Sequence, residues 1–322
     1  VRVGVIGTGV MGGNHVRAYA SLKDRCTLVG IYDINYERAS QIAQQYGTAA
    51  FHSLEDLLQN VDAVSITVPT SSHFSVGSQC LDYRVHILVE KPITDTIDNA
   101  KKLIQKAAMA QVVLQAGHIE LFNPTIRTLK SILSSEQVIA FDIHRMGPLE
   151  PRNKKLDVVQ DLMIHDIYIL PYLLGEQVDQ IYALGWSYDN VRKHVSALLR
   201  FKSGVVGQLT ASQVTEEKVR TVRVITRDAF IQANLLDSKI LISRSTNFFM
   251  KQASAGYIQQ NIVEKVVVPA EEPLRMQLIH FIDCIKKKTK PMVSGEDGLE
   301  ALIMTEKIRR VLRNVERKVN HG

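Results

Sequence analysis

Three polar side chains stand where a chain rarely leaves them idle. Asp161 and His165 are four residues apart, a spacing that puts both on one face of a helix, and Leu162, Met163, Ile164 and Ile167 around them are apolar. Burying a charge costs free energy unless it is paired. One reading is a core pair in which the two satisfy each other or cap a neighbouring turn. The other is a proton-transfer pair, because a histidine titrates near neutrality and a carboxylate beside it can orient the ring and favour its cation. Lys91 follows the run Ile87-Leu88-Val89-Glu90 and precedes Pro92, which keeps the residue before it extended and stops a helix from starting there. An ammonium at the end of a core strand either pairs with Glu90 or faces an oxygen on which negative charge develops.

The first residues indicate what such groups would serve. Val3, Val5 and Ile6 suit a strand buried on both faces, and Gly7, Gly9 and Gly12, with Val10 and Met11 between them, form G-x-G-x-x-G where that strand would turn into a helix. Gly7 permits the tight turn, Gly9 lets backbone N–H groups approach a pyrophosphate, and Gly12 lets the helix lie against the sheet. The helix N-terminus adds donors and partial positive charge. A second apolar run, Thr27 to Tyr32, ends at Asp33, about twenty residues past the last glycine, where a carboxylate accepts hydrogen bonds from ribose hydroxyls. NAD is therefore expected as cofactor. Arg38, one helical turn on, is either a solvated helix residue or a contact for the 2′-phosphate of NADP. With nicotinamide as hydride acceptor, a secondary alcohol needs a proton acceptor and a group to hold its oxygen. His165 suits the first role with Asp161 orienting it, and Lys91 the second; alternatively Lys91 takes the proton, its pKa lowered by burial.

With 322 residues the chain exceeds the usual size of one core, so two domains are expected. Its net charge of +6 and pI near 9.1 are mildly basic, which fits a solvated surface or steering of anionic substrates to a basic cleft. The last helix carries Arg309, Arg310, Arg313, Arg317 and Lys318 with no aromatic residue among them, so a nucleic-acid partner is not expected. Cys26, Cys80 and Cys284 are far apart and odd in number, which suggests buried thiols in a reducing compartment. No H-E-x-x-H occurs, the ten histidines form no ligand cluster, and no metal is implied. The chain opens on strand-like residues, and no apolar run approaches the ~18 residues that span a bilayer. Neither a signal nor a membrane segment is expected, and the cytoplasm is the expected compartment.

The elements that must position these groups fall into two rhythms. Up to residue 120, strands alternate with helices: Glu37 to Tyr46 closes on Gly47, Ser53 caps a short helix, and strands are expected at 63–68, 86–89 and 112–116. Such alternation implies a doubly wound parallel sheet covered on both faces, with the cofactor crevice at the carboxyl ends of the strands. The loops there carry Pro69-Thr70-Ser71-Ser72-His73, Glu90-Lys91-Pro92 and Gly117-His118-Ile119-Glu120. Pro69, Thr70, His73, Glu90 and Lys91 are thus candidates for contact with the dinucleotide. From 121 to 322 a helix over 123–133 and a strand over 138–146 precede short strands at 180–186, 196–201, 205–212, 220–226, 229–235 and 239–242. This predicts an α+β domain with a large, mostly antiparallel open sheet. One face of that sheet would be free to join a homodimer or homotetramer. Residues 247–260 read as a loop that contacts substrate or a neighbour. Helices return at 274–288 and at 296–319, the latter capped by Ser294.

Taken together, the fingerprint with His15 after it, the Val-Pro-Thr-Ser-Ser-His loop, Glu90-Lys91-Pro92 and Asp161-x-x-x-His165 resemble the Gfo/Idh/MocA oxidoreductases, named for glucose–fructose oxidoreductase and inositol dehydrogenase. The resemblance covers nearly the whole chain. It implies an N-terminal Rossmann domain, a C-terminal α+β domain and NAD(P)-dependent redox at a sugar or cyclitol hydroxyl, with Lys91, Asp161 and His165 as the catalytic set. Residues 117–124 and 161–166 look like the members that oxidise the 3-hydroxyl of UDP-N-acetylglucosamine or a related nucleotide sugar. Those members usually have an arginine where this chain has Leu121. His118, Glu120 and Asn123 are candidates for sugar contacts, and the last two are equally suited to capping the helix that begins there. A free sugar, an inositol or an aminocyclitol is the alternative substrate. A non-catalytic NAD(H)-binding redox sensor is the alternative class, and it would have no use for a proton-transfer set.

Overall fold

The computed structural model describes residues 1–151, 154–245 and 261–320. The segment 247–260, expected as a contact loop, lies outside the described residues. The chain divides into two compact units, Val1–Phe122 with Glu271–Ile303, and Asn123–Ala270 with Met304–Gly322.

The first unit is a parallel sheet wound on both faces. Its elements are β1 (Arg2–Ile6), α1 (Val10–Ala20), β2 (Thr27–Tyr32), α2 (Tyr36–Tyr46), β3 (Ala49–Ala50), α3 (Leu54–Asn60), β4 (Ala63–Ile66), α4 (His73–Asp82), β5 (His86–Glu90), α5 (Ile97–Ala110) and β6 (Leu114–Gly117). The strand order is β3-β2-β1-β4-β5-β6, which reverses direction at the β1/β4 boundary, the switch point at which such sheets bind nucleotides. Successive residues of each strand feed opposite faces. Ile6, Ile66, Ile87 and Val89 join Leu57, Leu81 and Leu103 on one side, while Val3, Val5, Ile31 and Leu88 join Tyr19 and Leu22 on the other. Burial on both faces explains why these strands read as continuous apolar runs rather than alternating ones.

Helix α8 (Pro273–Lys287) supplies Leu274, Leu278, Phe281 and Ile282 to the second of these clusters. Residues 271–303 therefore pack with the first unit, whereas a division at residue 120 assigns them to the second domain. An amphipathic helix shows in its sequence that one face is buried but not which sheet buries it. Side chains close the orphaned donors at helix starts as their types suggest: Asn35 for α2, Ser53 for α3 and Thr96 for α5. Gly47 ends α2 in the left-handed conformation. Ser294 caps α9 (Gly295–Asn320) in a reciprocal pair with Asp297.

The second unit comprises α6 (Pro124–Leu133), β7 (Val138–Met146), α7 (Ile164–Leu174), β8 (Val178–Tyr188), β9 (Val191–Phe201), β10 (Val206–Ser212), β11 (Val219–Thr226), β12 (Ala229–Asn234), β13 (Lys239–Ser245) and β14 (Asn261–Val266). Its eight strands run β14-β13-β12-β11-β7-β10-β9-β8, antiparallel except for the β7/β10 pair. Alternation sets the two faces. On β9, Val195, Ala197, Leu199 and Phe201 are buried, and their intervening neighbours point the other way. Helix α7 is fastened to β7 by Arg145 and Asp166, both buried. Arg145 Nε donates to both carboxylate oxygens at 2.9 Å and Nη2 donates to Oδ1 at 2.8 Å. A charge pair this deep is tolerable because each group is met by several hydrogen bonds. Among the described residues no helix is long and apolar enough to cross a membrane.

Candidate active site

In the first unit the glycines divide the work of the β1–α1 turn. Gly7 has φ +90°, and a Cβ there would stand 2.9 Å from the Val68 amide nitrogen. A Cβ on Gly12 would come 1.9 Å from the Gly7 carbonyl oxygen, so α1 can approach β1 only without one. Gly9 differs from both. Its φ of −64° suits any residue, and a Cβ on it would meet nothing within 4 Å. The space it leaves is on the open side of the turn, at the start of a helix with no side-chain cap, where Val10 is exposed and Met11 half-buried. Backbone donors facing an unobstructed cradle fit a dinucleotide pyrophosphate.

Asp33, just past β2, is buried and heavily engaged. Oδ2 accepts from the Thr8 amide (2.6 Å), the Thr8 hydroxyl (2.8 Å) and Arg38 Nη2 (2.8 Å); Oδ1 accepts from the Asn35 amide (2.8 Å) and Arg38 Nη2 (2.9 Å). Burial by itself would raise its pKa, but the Asn35 and Thr8 amides, Arg38 and the Thr8 hydroxyl outweigh it and hold the carboxyl below its ordinary range. Arg38 is therefore not a plain solvated helix residue. It is clipped to Asp33 and, through Nε, to the Thr8 hydroxyl at 3.1 Å, while half of its side chain stays in solvent.

At the carboxyl end of β5, Glu90 pairs across the sheet with Gly117, where a Cβ would press to 2.8 Å from Glu90 Cα. His15, fully buried on α1, meets Glu90 Oε1 through Nε2 at 3.2 Å, and the Lys91 amide donates to Oε2 at 3.3 Å. Burial opposes ionisation of Glu90, yet the His15 hydrogen bond and charge, with the Lys91 ammonium and amide, keep its carboxyl below the usual range. His118 shares this neighbourhood. Burial pushes its pKa down to about 4, against the pull of Glu90 and with the push of Lys91, so it is neutral at physiological pH. His73 is buried with Nδ1 2.9 Å from the Pro92 carbonyl and Nε2 2.9 Å from the Val68 carbonyl, and its ring thus bridges the loops that follow β4 and β5. Burial lowers its pKa as well. Pro69 is exposed, and Thr70 opens a short 3-10 turn that leads into α4.

Glu120 lies in a 3-10 turn over Ile119–Phe122, half-buried, and Leu121 beside it is buried. In the second unit Asn123 caps α6, its Oδ1 accepting from the Thr125 amide at 3.0 Å. Asp161 sits not in an α-helix but in a π-helical turn, Val159–Met163, which passes into α7 just before His165. Single π turns inside α-helices are concentrated at functional sites. Asp161 Oδ2 accepts from Gln213 Nε2 at 2.8 Å, and Gln213 Oε1 accepts from the Lys193 ammonium at 3.2 Å.

Lys91 thus belongs to the first unit, and Asp161 and His165 to the second. Sequence reading gave no role to His15, Lys193 or Gln213. Lys193 did leave a signal, since it stands in register with the inward set Val195, Ala197, Leu199 and Phe201. His15 follows the fingerprint and helps carry the family resemblance, but its partner Glu90 is 75 residues away, and Gln213, 52 residues from Asp161, left no signal.

The glycine geometry separates folding from binding. Gly9→Ala is expected to keep the thermal midpoint of the parent chain while its NADH affinity, measured by calorimetry, falls at least about tenfold, or ~1.4 kcal/mol. Gly12→Ala is expected to lower the midpoint itself. Equal loss of stability in both variants would contradict this division.

Comparison with known proteins agrees with this geometry. Residues 1–118 match the model of the oxidoreductase family with an NAD-binding Rossmann fold, and residues 140–232 match the Gfo/Idh/MocA C-terminal domain. The UDP-N-acetylglucosamine 3-dehydrogenase of Acidithiobacillus ferrooxidans is 34% identical over 244 residues, 75% of this chain and 76% of the relative. A solved structure of that enzyme superposes with a TM-score of 0.88 at 29% identity, covering 97% of each chain. The myo-inositol 2-dehydrogenase of Thermotoga maritima is 24% identical over 94% of each chain. The chain belongs to the Gfo/Idh/MocA family of oxidoreductases, with an N-terminal Rossmann domain for NAD.

Proposed function

We propose that this oxidoreductase removes hydride from a ring secondary hydroxyl of a sugar, and that its substrate is a UDP-N-acetylhexosamine oxidised at C3. The likeness to the Acidithiobacillus UDP-N-acetylglucosamine 3-dehydrogenase, which extends over 97% of both chains, carries this reading. Gly7, Gly9, Val10, Met11 and Gly12 hold the pyrophosphate, and Asp33 with Arg38 borders the adenosine ribose. Bound NAD supplies the hydride acceptor. Arg38 gives the ribose end a guanidinium edge in solvent, which would tolerate a 2′-phosphate and so admit NADP.

His165 accepts the hydroxyl proton, Asp161 orients it, and Lys91 stabilises the oxygen as negative charge develops. Glu90, held ionised by His15, anchors the end of β5 from which Lys91 projects. His118 and Glu120 in the first unit and Asn123 in the second contribute polar contacts to the sugar. Leu121 favours a second reading, the oxidation of an inositol or free sugar. A buried leucine offers no cation to a phosphate, and relatives in the family include an inositol dehydrogenase.

The outward face of the second sheet supports assembly into a homodimer or homotetramer. Tyr182, Leu184, Trp186 and Tyr188 of β8 are each more than half exposed, and Leu198, Val206 and Ile225 extend the apolar surface across neighbouring strands. So much exposed apolar area is characteristic of an interface. Three free, buried cysteines suit a reducing compartment, and the cytoplasm is the proposed location.

NADH formation with UDP-N-acetylglucosamine, beside myo-inositol and glucose, tests the substrate reading; turnover of a polyol alone would transfer the assignment to the second reading. His165→Ala is expected to lower kcat by roughly 10²- to 10⁴-fold with NADH affinity unchanged. Undiminished turnover in that variant would defeat the mechanism. Sedimentation is expected to give a dimer or tetramer, and a monomer at working concentration would contradict the interface.

A further inference from the structure

Lys193 is almost wholly covered, with 1% of its surface exposed. Withdrawing an ammonium from water costs several kcal/mol unless the protein compensates it. Its neighbour Arg192 is spent on carboxylates, donating to Asp157 at 2.9 Å and to Glu316 at 2.8 Å. Lys193 instead places Nζ 3.1 Å from the Leu156 carbonyl oxygen and 3.2 Å from Gln213 Oε1. Burial lowers its pKa, while the charges of Asp157 and Asp161 oppose that fall.

Gln213 is equally buried, and its position is fixed by the backbone, since its amide donates to the Lys193 carbonyl at 2.8 Å. An ammonium has only donors, so the end of the Gln213 amide that meets it must be the oxygen. The NH2 end is thereby turned to Asp161, and Nε2 donates to Oδ2 at 2.8 Å. A carboxylate only accepts, so Asp161 selects the same NH2 end, and the amide is held in one orientation between the cation and the carboxylate. Loss of the cation removes the partner that fixes the oxygen end and frees the amide to shift away from Asp161, so the Gln213–Asp161 contact is held in place from β9.

The geometry points to Lys193, acting through Gln213, as a positioning residue that fixes the Asp161 carboxylate, and with it His165, for proton transfer. This rests on the assignment of Asp161 and His165 proposed above. The line Lys193–Gln213–Asp161 runs entirely within the second unit. It also accounts for a cation kept in the interior of a sheet where an apolar residue would pack at lower cost.

The test measures kcat, KM and thermal midpoint for Lys193→Met, Gln213→Leu and Asp161→Asn, singly and combined, in the full-length protein. Lys193→Met is expected to lower kcat about ten- to a hundredfold with KM nearly constant, the scale on which small misplacement of a catalytic group acts. In the Asp161→Asn background it is expected to have no further effect, because the path ends at Asp161. Lys193→Arg, which keeps a donor, is expected to restore part of the loss. An unchanged kcat in Lys193→Met, or a full additional loss on Asp161→Asn, overturns the inference. If Lys193→Met fails to fold, Gln213→Glu decides. It keeps a partner for the lysine but sets a carboxylate against Asp161, and unchanged kcat there overturns the inference too. Full activity in Asp161→Asn and His165→Ala would instead sink the underlying assignment, a result distinguishable from failure of Lys193 alone.

Discussion

Asp33, Glu90 and Asp166 are carboxylates taken out of water, and each is held by donors brought from a different part of the chain. Removing a carboxylate from solvent is tolerable only where hydrogen bonds and opposite charge replace hydration. Asp33 is met by Thr8, Asn35 and Arg38, Glu90 by His15 and the Lys91 amide, and Asp166 by Arg145. These contacts lock the end of β2 to the glycine turn, the end of β5 to α1, and α7 to β7. Two of the groups proposed for chemistry lie next to them in sequence. Lys91 follows Glu90 and His165 precedes Asp166, so each of these two is one residue from an anchored side chain.

That arrangement separates stability from reactivity. Both oxygens of each anchoring carboxylate meet a hydrogen-bonding partner, which suits these groups to act as fixed charges. In a low-dielectric setting fixed charges and dipoles act strongly and need no reorganisation as charge develops on a substrate. Among the residues proposed for chemistry, Lys91 belongs to the first unit and Asp161 and His165 to the second.

The parallel sheet was legible because residues buried on both faces leave continuous apolar runs, and the glycine turn because its spacing has a mechanical meaning at each position. The strands of the second sheet were legible from their alternation, with β14 the exception. Its residues 262–265 are largely exposed, so no apolar alternation marks Asn261–Val266, and pairing with β13 alone defines it. The π turn at Val159–Met163 was hidden, since periodicity over a few residues does not distinguish it from an α-helix. Helix α8 announced a buried face but not its owner. Asp161 and His165 stood out as polar residues in an apolar segment, whereas His15 and Gln213 acquire meaning only through contacts far apart in sequence.

The most direct measurement follows the hydrogen itself. The enzyme would be incubated with NAD and UDP-N-acetylglucosamine deuterated at C3, and the nicotinamide product read by NMR. Deuterium at C4 of the reduced ring is the predicted result, since hydride passes from the carbinol carbon without exchange with water. NADH carrying solvent hydrogen at C4, or no reduction of NAD while the nucleotide sugar remains bound, would contradict the account.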